Sequence, residues 1–168
     1  MNEQQLFDFF EMNHIEYKLF KHQPLFTVED KPILIDSDVD IIPGMQSKNL
    51  FLKEAKNNSF FLVSVSEEKR VDLGRLSKVL GCGRFSFGKP AELMEYLKLT
   101  PGSVTPFGLM FDKHNNVTFV LDEDFLTAEF VIFHPLRNDM NVTLNPQTFL
   151  TCMEKLAHPV RVICIPTK

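Results

Sequence analysis

The sequence predicts an α/β fold of the mixed α+β kind: a single domain over residues 1–168, with a mixed, mostly antiparallel sheet and helices packed around it. Three observations predict it. β-rich runs are joined by tight-turn signals, and they do not alternate regularly with helices as βαβ units would. Amphipathic helical segments with legible caps stand between those runs. The length is 168 residues, with 44% apolar and 24% charged residues, the size and make-up of one soluble domain able to bury a core. The chain has neither internal repeats nor a low-complexity linker.

Leu6, Phe9, Phe10 and Asn13 recur at helical spacing, so residues 3–13 form an amphipathic helix. Ile15, Tyr17 and Leu19 alternate with polar residues, which predicts a strand over 15–20. Pro32, Pro43 and the acidic positions Asp36, Asp38 and Asp40 mark 29–44 as a solvated connection. Residues 49–54 and 60–65 read as a hairpin turned by Lys56-Asn57-Asn58-Ser59. Asp72 N-caps a helix carrying Leu73, Leu76, Val79 and Leu80, and Gly81 closes it. A short strand over 84–87 follows, and Pro90 opens a helix with Leu93, Tyr96 and Leu97 on one side. A second hairpin is expected from 107–111 and 117–121 around His114-Asn115-Asn116. Strands are expected over 129–133 and 142–144. Asn145-Pro146 starts a helix with Phe149, Leu150, Met153 and Leu156 as its stripe, and 161–165 ends the chain as a buried strand.

Composition narrows the function. With 17 Phe, 2 Tyr and no Trp, most aromatic rings are core packing without a polar handle to satisfy. A net charge of −4 argues against broad, non-specific binding of a nucleic-acid backbone while leaving room for a local phosphate contact. Cys82, Cys152 and Cys164 form no CxxC pair, which fits reduced thiols and offers neither zinc nor redox motif. The acidic, amphipathic start is not a signal peptide, and no apolar run approaches bilayer length, so a cytoplasmic location without membrane contact is expected.

Three clusters can carry chemistry, each beside a plainer reading. Pro43-Gly44-Met45-Gln46-Ser47-Lys48-Asn49 sets a Lys and an Asn at a strand entrance, where they reach a carbonyl or phosphate or merely solvate a hairpin edge. Thr100 to Gly108, with two prolines and two glycines, either presents fixed amides to an anionic oxygen or simply connects a helix to a strand. His134, within Phe133-His134-Pro135-Leu136-Arg137-Asn138, orients a substrate, acts as a base, or is structural. His14, His22, His114 and His158 read as surface or capping groups, Gly81-Cys82-Gly83 as a turn, and Asp122-Glu123-Asp124 as a helix start, not a metal cluster. GxSxG, P-loop, GxGxxG and HExxH signatures are absent.

Taken together, these motifs resemble the YbaK/ProX family, the aminoacyl-tRNA editing domain also found as the insertion domain of bacterial prolyl-tRNA synthetases. The likeness is strongest to stand-alone alanyl-tRNA(Pro) deacylases of the ProXp-ala/PrdX type. It rests on Pro24-Leu25-Phe26-Thr27-Val28-Glu29, Ser47-Lys48-Asn49-Leu50-Phe51-Leu52, Val71-Asp72-Leu73, Pro101 through Gly108, and Phe133 through Asn138. The resemblance implies a trans-editing hydrolase that cleaves the ester of Ala-tRNA(Pro) without metal or cofactor, assisted by the tRNA ribose hydroxyl. It implies catalytic roles for Lys48, Asn49, Gly102 and Gly108, with Lys48 holding the substrate's 3′ end. Phe26, Thr27, Val28, Ser103, Thr105, Pro106 and His134 are the implied substrate-binding residues. The implied partners are the acceptor end of tRNA(Pro) and prolyl-tRNA synthetase. The same reaction on Cys-, Ser- or Thr-tRNA, and a non-catalytic acceptor-end binder, stand as alternatives. Gln46 and Ser47 depart from a His and a Thr that relatives often carry there, so no acid–base role is assigned to position 46.

Overall fold

The computed structural model describes residues 2–22, 34–35 and 42–168. The order of elements is α1 (Asn2–Met12), β1 (Lys18–His22), β2 (Leu34–Ile35), β3 (Met45–Glu54), β4 (Phe60–Ser66), α2 (Leu73–Leu80), β5 (Phe85–Phe87), α3 (Pro90–Leu97), β6 (Val117–Asp122), β7 (Val131–Phe133), β8 (Met140–Leu144), α4 (Pro146–Lys155) and β9 (Val160–Ile163). Short 3-10 turns at Pro101–Ser103, Pro106–Phe111 and Glu123–Thr127 fill the connections. Along the sheet the strands run β2-β1-β8-β7-β3-β4-β6-β9, and β5 also pairs with β3. The β3–β7, β4–β6 and β6–β9 pairs are parallel, and the others are antiparallel. The sheet is therefore mixed and mostly antiparallel, as expected.

Local chemistry explains the boundaries. The Asp72 carboxylate accepts the Arg75 amide at 3.1 Å to start α2, and Gly81 ends it at φ 68°, a left-handed conformation that glycine adopts without penalty. Asn145 caps α4 through the Gln147 amide at 2.8 Å. The Glu54 carboxylate organises the β3–β4 turn, accepting the amides of Lys56 (2.6 Å), Asn57 (3.0 Å) and Gly83 (3.1 Å).

The sheet separates two apolar layers. The larger one holds Leu6, Phe10, Phe51, Phe60, Leu62, Phe107, Phe119, Phe133, Val142 and Phe149. Phenylalanine rings interlock there, with Phe133 stacked on Phe149 at 4.7 Å and Phe107 edge-on to both. The smaller layer, on the opposite face, holds Leu52, Phe61, Val63, Val65, Leu76, Phe85 and Val120. β4 lies between β3 and β6 and is buried from Phe60 to Val65, which accounts for its apolar run from Phe60 to Val63.

Three sequence expectations are corrected. Residues 107–111 are not a hairpin arm but part of a 3-10 turn, because the Asp112 carboxylate accepts the Asn116 (2.9 Å) and Val117 (2.8 Å) amides and holds the chain in a tight reversal. The last strand is not buried: β9 is an edge strand whose central residues are exposed. The first strand begins later than expected, at Lys18, where pairing with β8 begins.

Candidate functional site

β3 supplies the first cluster. One edge pairs with β4 from Ser47 to Lys53. The other pairs with β7 at Met45 and Gln46, and with β5 from Leu52 to Glu54. Residues 47–51 thus have no neighbouring strand on that edge among the described residues. Side chains alternate across a strand, so neighbours in sequence point to opposite faces. Met45 packs on the larger core beside Val131, which places Ser47 and Asn49 on that face and Gln46 and Lys48 on the other.

Asn49 is held in a hydrogen-bond chain. Ser64 Oγ donates to Asn49 Oδ1 at 2.5 Å, Asn49 Nδ2 donates to Ser47 Oγ at 3.1 Å, and Ser47 Oγ donates to the Ile132 carbonyl at 2.8 Å. This chain ties β4, β3 and β7 together across their side chains. Lys48, on the other face, donates from Nζ to the Lys69 carbonyl. Burial, aided by the nearby Arg70 cation, lowers the Lys48 pKa. The Lys69 side chain is anchored by ion pairs to Asp122, which is fully buried, and to Asp124 at 2.6 Å. Asp122 also accepts the Ile165 amide at 3.3 Å. The acidic run does precede a 3-10 turn, as expected of a helix start. Its ion pair with Lys69 was missed because the two lie 53 positions apart.

The second cluster follows β7. Ile132 pairs with Gln46 on one side and Thr143 on the other, so Thr143 and Asn141 of β8 share the face that carries Lys48. His134 continues the β7 alternation on that face, beside Asn141, with the His22 ring 6.4 Å from its own. His134 Nδ1 lies 3.0 Å from the Met140 carbonyl. A carbonyl only accepts, so Nδ1 carries the proton and Nε2 of the neutral ring offers a lone pair. Burial pushes the His134 pKa down, against the opposing bond to Met140. The turn beyond it is held firmly: Leu136 sits at φ 69°, a conformation costing about 1–3 kcal/mol for a non-glycine residue. Arg137 clamps Asp139 in bidentate fashion (2.9 and 2.6 Å) and reaches Glu3 of α1 at 3.2 Å, stabilising that turn.

The third cluster is the Thr100–Gly108 loop. Gly102 is exposed beside the His134 turn, and a Cβ added there would lie 3.1 Å from Asn138 Nδ2. Ser103, Thr105 and Pro106 are buried, and Thr105 Oγ1 accepts the Phe107 amide at 3.4 Å as a cap. Gly108 corrects an expectation. Its amide donates to the Thr105 carbonyl at 3.1 Å and is not available to a substrate oxygen. Its missing side chain is a packing requirement, since a Cβ would come within 2.7 Å of Leu99 Cδ1.

The fold thus brings the three motif clusters together: Ser47 bonds β7 just before His134, and Gly102 abuts the turn just after it. Phe26, Thr27 and Val28, with the Pro24–Glu29 motif, lie outside the described residues. Two histidines read as surface groups are buried: His22, and His158, whose Nε2 lies 3.2 Å from Asp112. Cys82, Cys152 and Cys164 are unpaired, and burial pushes the Cys152 thiol up to about 12. No group of three or more His, Cys, Asp or Glu residues among those described is placed to hold a metal ion. No helix among the described residues is long and apolar enough to cross a membrane.

Residues 25–152 match the model of the aminoacyl-tRNA editing domain. The chain belongs to that family. Its class of activity is aminoacyl-tRNA editing, the hydrolysis of the ester joining an amino acid to tRNA. It is 38% identical over 147 residues to a prolyl-tRNA synthetase associated domain-containing protein 1 of Xenopus laevis, covering 85% of this chain and 84% of that protein. It is 35% identical over 131 residues to the prolyl-tRNA editing protein ProX of Acetoanaerobium sticklandii, covering 78% of this chain and 77% of that protein. The fold matches a solved structure described as a candidate trans-editing enzyme for prolyl tRNA synthetase, with a TM-score of 0.68 at 19% identity, covering 99% of this chain and 98% of that one.

Proposed function

We propose that this chain acts as one cytoplasmic editing domain that hydrolyses alanine from mischarged tRNA(Pro), working in trans to prolyl-tRNA synthetase. The observation that supports this reading most directly is the pairing of β3 with β7, which sets Lys48 and His134 on one face of the sheet, with Gly102 beside Asn138 in the turn that follows His134. The need for such an activity is physical. A pocket shaped for proline cannot exclude the smaller alanine, because each missing methylene discriminates by only about 1–3 kcal/mol. A second site that admits alanine and rejects proline by size removes the error.

An aminoacyl ester is already activated, so positioning and oxyanion stabilisation carry the reaction. Lys48 exchanges its resting bond with the Lys69 carbonyl for the negatively charged 3′ end of the substrate. The ribose hydroxyl next to the ester polarises the attacking water. Gly102, exposed and without a side chain, lets the loop approach the ester carbonyl. Neutral His134 bounds the amino-acid pocket, and Asn49 acts as a positioning residue through its bonds to Ser64 and Ser47. The net charge of −4 fits recognition confined to the acceptor end.

The test is deacylation of Ala-, Pro-, Cys- and Ser-tRNA(Pro). Rapid loss of alanine with proline spared is the expected result. Survival of every ester would replace this reading with that of a non-catalytic acceptor-end binder.

A further inference from the structure

The carbonyl that receives Lys48 is held in place by charged groups that the proposed mechanism does not use. The Lys48 ammonium donates to the main-chain carbonyl of Lys69, in the turn that leaves β4. Backbone bonds tie that turn down: the Lys69 amide donates to the Ser66 carbonyl at 3.0 Å, and the Glu67 amide to the Gln46 carbonyl of β3 at 3.1 Å. The Lys69 side chain forms ion pairs with Asp122, at the end of β6, and with Asp124 at 2.6 Å. Asp122 is completely buried and also accepts the Ile165 amide at 3.3 Å. The chain beyond Ile165 lies along the same turn. The Asp72 amide donates to the Pro166 carbonyl at 3.0 Å, and the Lys168 amide to the Arg70 carbonyl at 2.9 Å. One buried carboxylate thus fixes both segments that frame the resting place of Lys48. Desolvation offsets much of the attraction in such a pair, so it adds little net stability. Its effect lies in what it holds still.

We infer that Lys69 and Asp122 are positioning residues for Lys48: their ion pair fixes the Lys69 carbonyl, and that carbonyl presents the Lys48 ammonium to the 3′ end of the substrate. This rests on the deacylase reading above and extends it from the lysine to the groups that place it. A lysine stem is flexible, and ordering it only when substrate binds costs side-chain entropy. A stem already resting on a fixed carbonyl has lost that freedom beforehand. Asp124 is the weaker of the two carboxylates, because it is half-exposed and solvent screens its charge.

The test is a cycle of variants read by kcat/KM for Ala-tRNA(Pro), with the melting temperature as the control on folding. Asp122→Asn keeps an oxygen for the Ile165 amide but removes the charge that holds Lys69. It is expected to lower kcat/KM about 10-fold, in the range for slight displacement of a reacting group. Lys69→Met combined with Asp122→Asn leaves no buried charge unpaired, and the same loss is expected there without that penalty to folding. In the Lys48→Ala background, whose residual activity is measurable, neither change is expected to have a further effect. A positioning residue acts only through the group it positions, whereas general damage to the fold lowers both backgrounds alike. Equal losses in both backgrounds overturn the inference, as does an unchanged rate in the folded variants or a wild-type rate in Lys48→Ala. Failure of the deacylase reading looks different: the wild-type protein then cleaves no ester.

Discussion

The sheet has two halves that treat their polar groups in opposite ways. Around β4 and β6, buried residues are almost all apolar, and the Ser64 hydroxyl among them is bonded to Asn49. Around β7 and β8, His134, Asn141 and Thr143 share one face, and Asn141 Nδ2 and Thr143 Oγ1 are buried with no hydrogen-bond partner among the described residues. Polar groups that are satisfied within the protein serve the fold. Those left unsatisfied carry a cost to stability. One strand carries bonded side chains on both faces: Asn49 holds Ser47 and Ser64 on one, and Lys48 holds the Lys69 carbonyl on the other.

The comparison is broken most forcefully from the apolar half. Phe119→Ala removes a fully buried ring and is expected to cost about 3–5 kcal/mol in chemical denaturation. A loss under 1 kcal/mol would mean that this half is not the source of stability. Next in size, Lys48→Ala is expected to slow Ala-tRNA(Pro) deacylation about 100-fold, typical of losing a preorganised contact, while the melting temperature holds. Asn49→Ala is expected to lose about 1–3 kcal/mol of stability by stranding the Ser64 hydroxyl, with a smaller loss of activity than Lys48→Ala. If both variants lost activity and stability alike, the division across β3 would fail. The smallest effect concerns pH. Burial alone would raise the Glu54 pKa, but the amides of Lys56, Asn57, Gly83 and Ser59 outweigh it and hold the carboxyl below its ordinary value. A depressed carboxylate stabilises the fold above the unfolded value near 4.3 and loses that contribution as pH falls through the folded one. Glu54→Gln is therefore expected to flatten the acid limb of a stability-versus-pH curve, and an unchanged limb would count against it.

Much of this was legible because it is local. Asp72, Gly81, Asn145 and Pro146 mark helix ends through contacts within a few residues, and the β3–β4 turn announces itself in Lys56 to Ser59. The three motif clusters were visible as well, together with the family they resemble. Their division of labour was not. That Lys48 and Asn49 face opposite ways follows from strand register, and that the Gly108 amide is committed to Thr105 follows from a 3-10 turn that reads like a strand. Asp122 with Lys69, and His158 with Asp112, are pairs made by tertiary structure between distant positions. The burial of Asn141 and Thr143 on β8 is set by the strands and layers packed around them, which local sequence does not reveal.

The neighbours of β3 also set the order in which the site can be assembled. Its hairpin with β4 closes across a short turn and can form as soon as that stretch exists. Its bond to β7 joins Ser47 to Ile132 across 85 positions, and the far edge waits for residues 160–163 to pair with β6. Closing such distant parallel pairs is slow, because chain entropy is lost before the contacts form. By this reasoning Lys48 is expected on the part of the sheet that forms early, and His134 to join the same face later. A partly folded chain would hold the lysine in place without a pocket beside it, and hydrolytic competence would emerge together with the completed sheet.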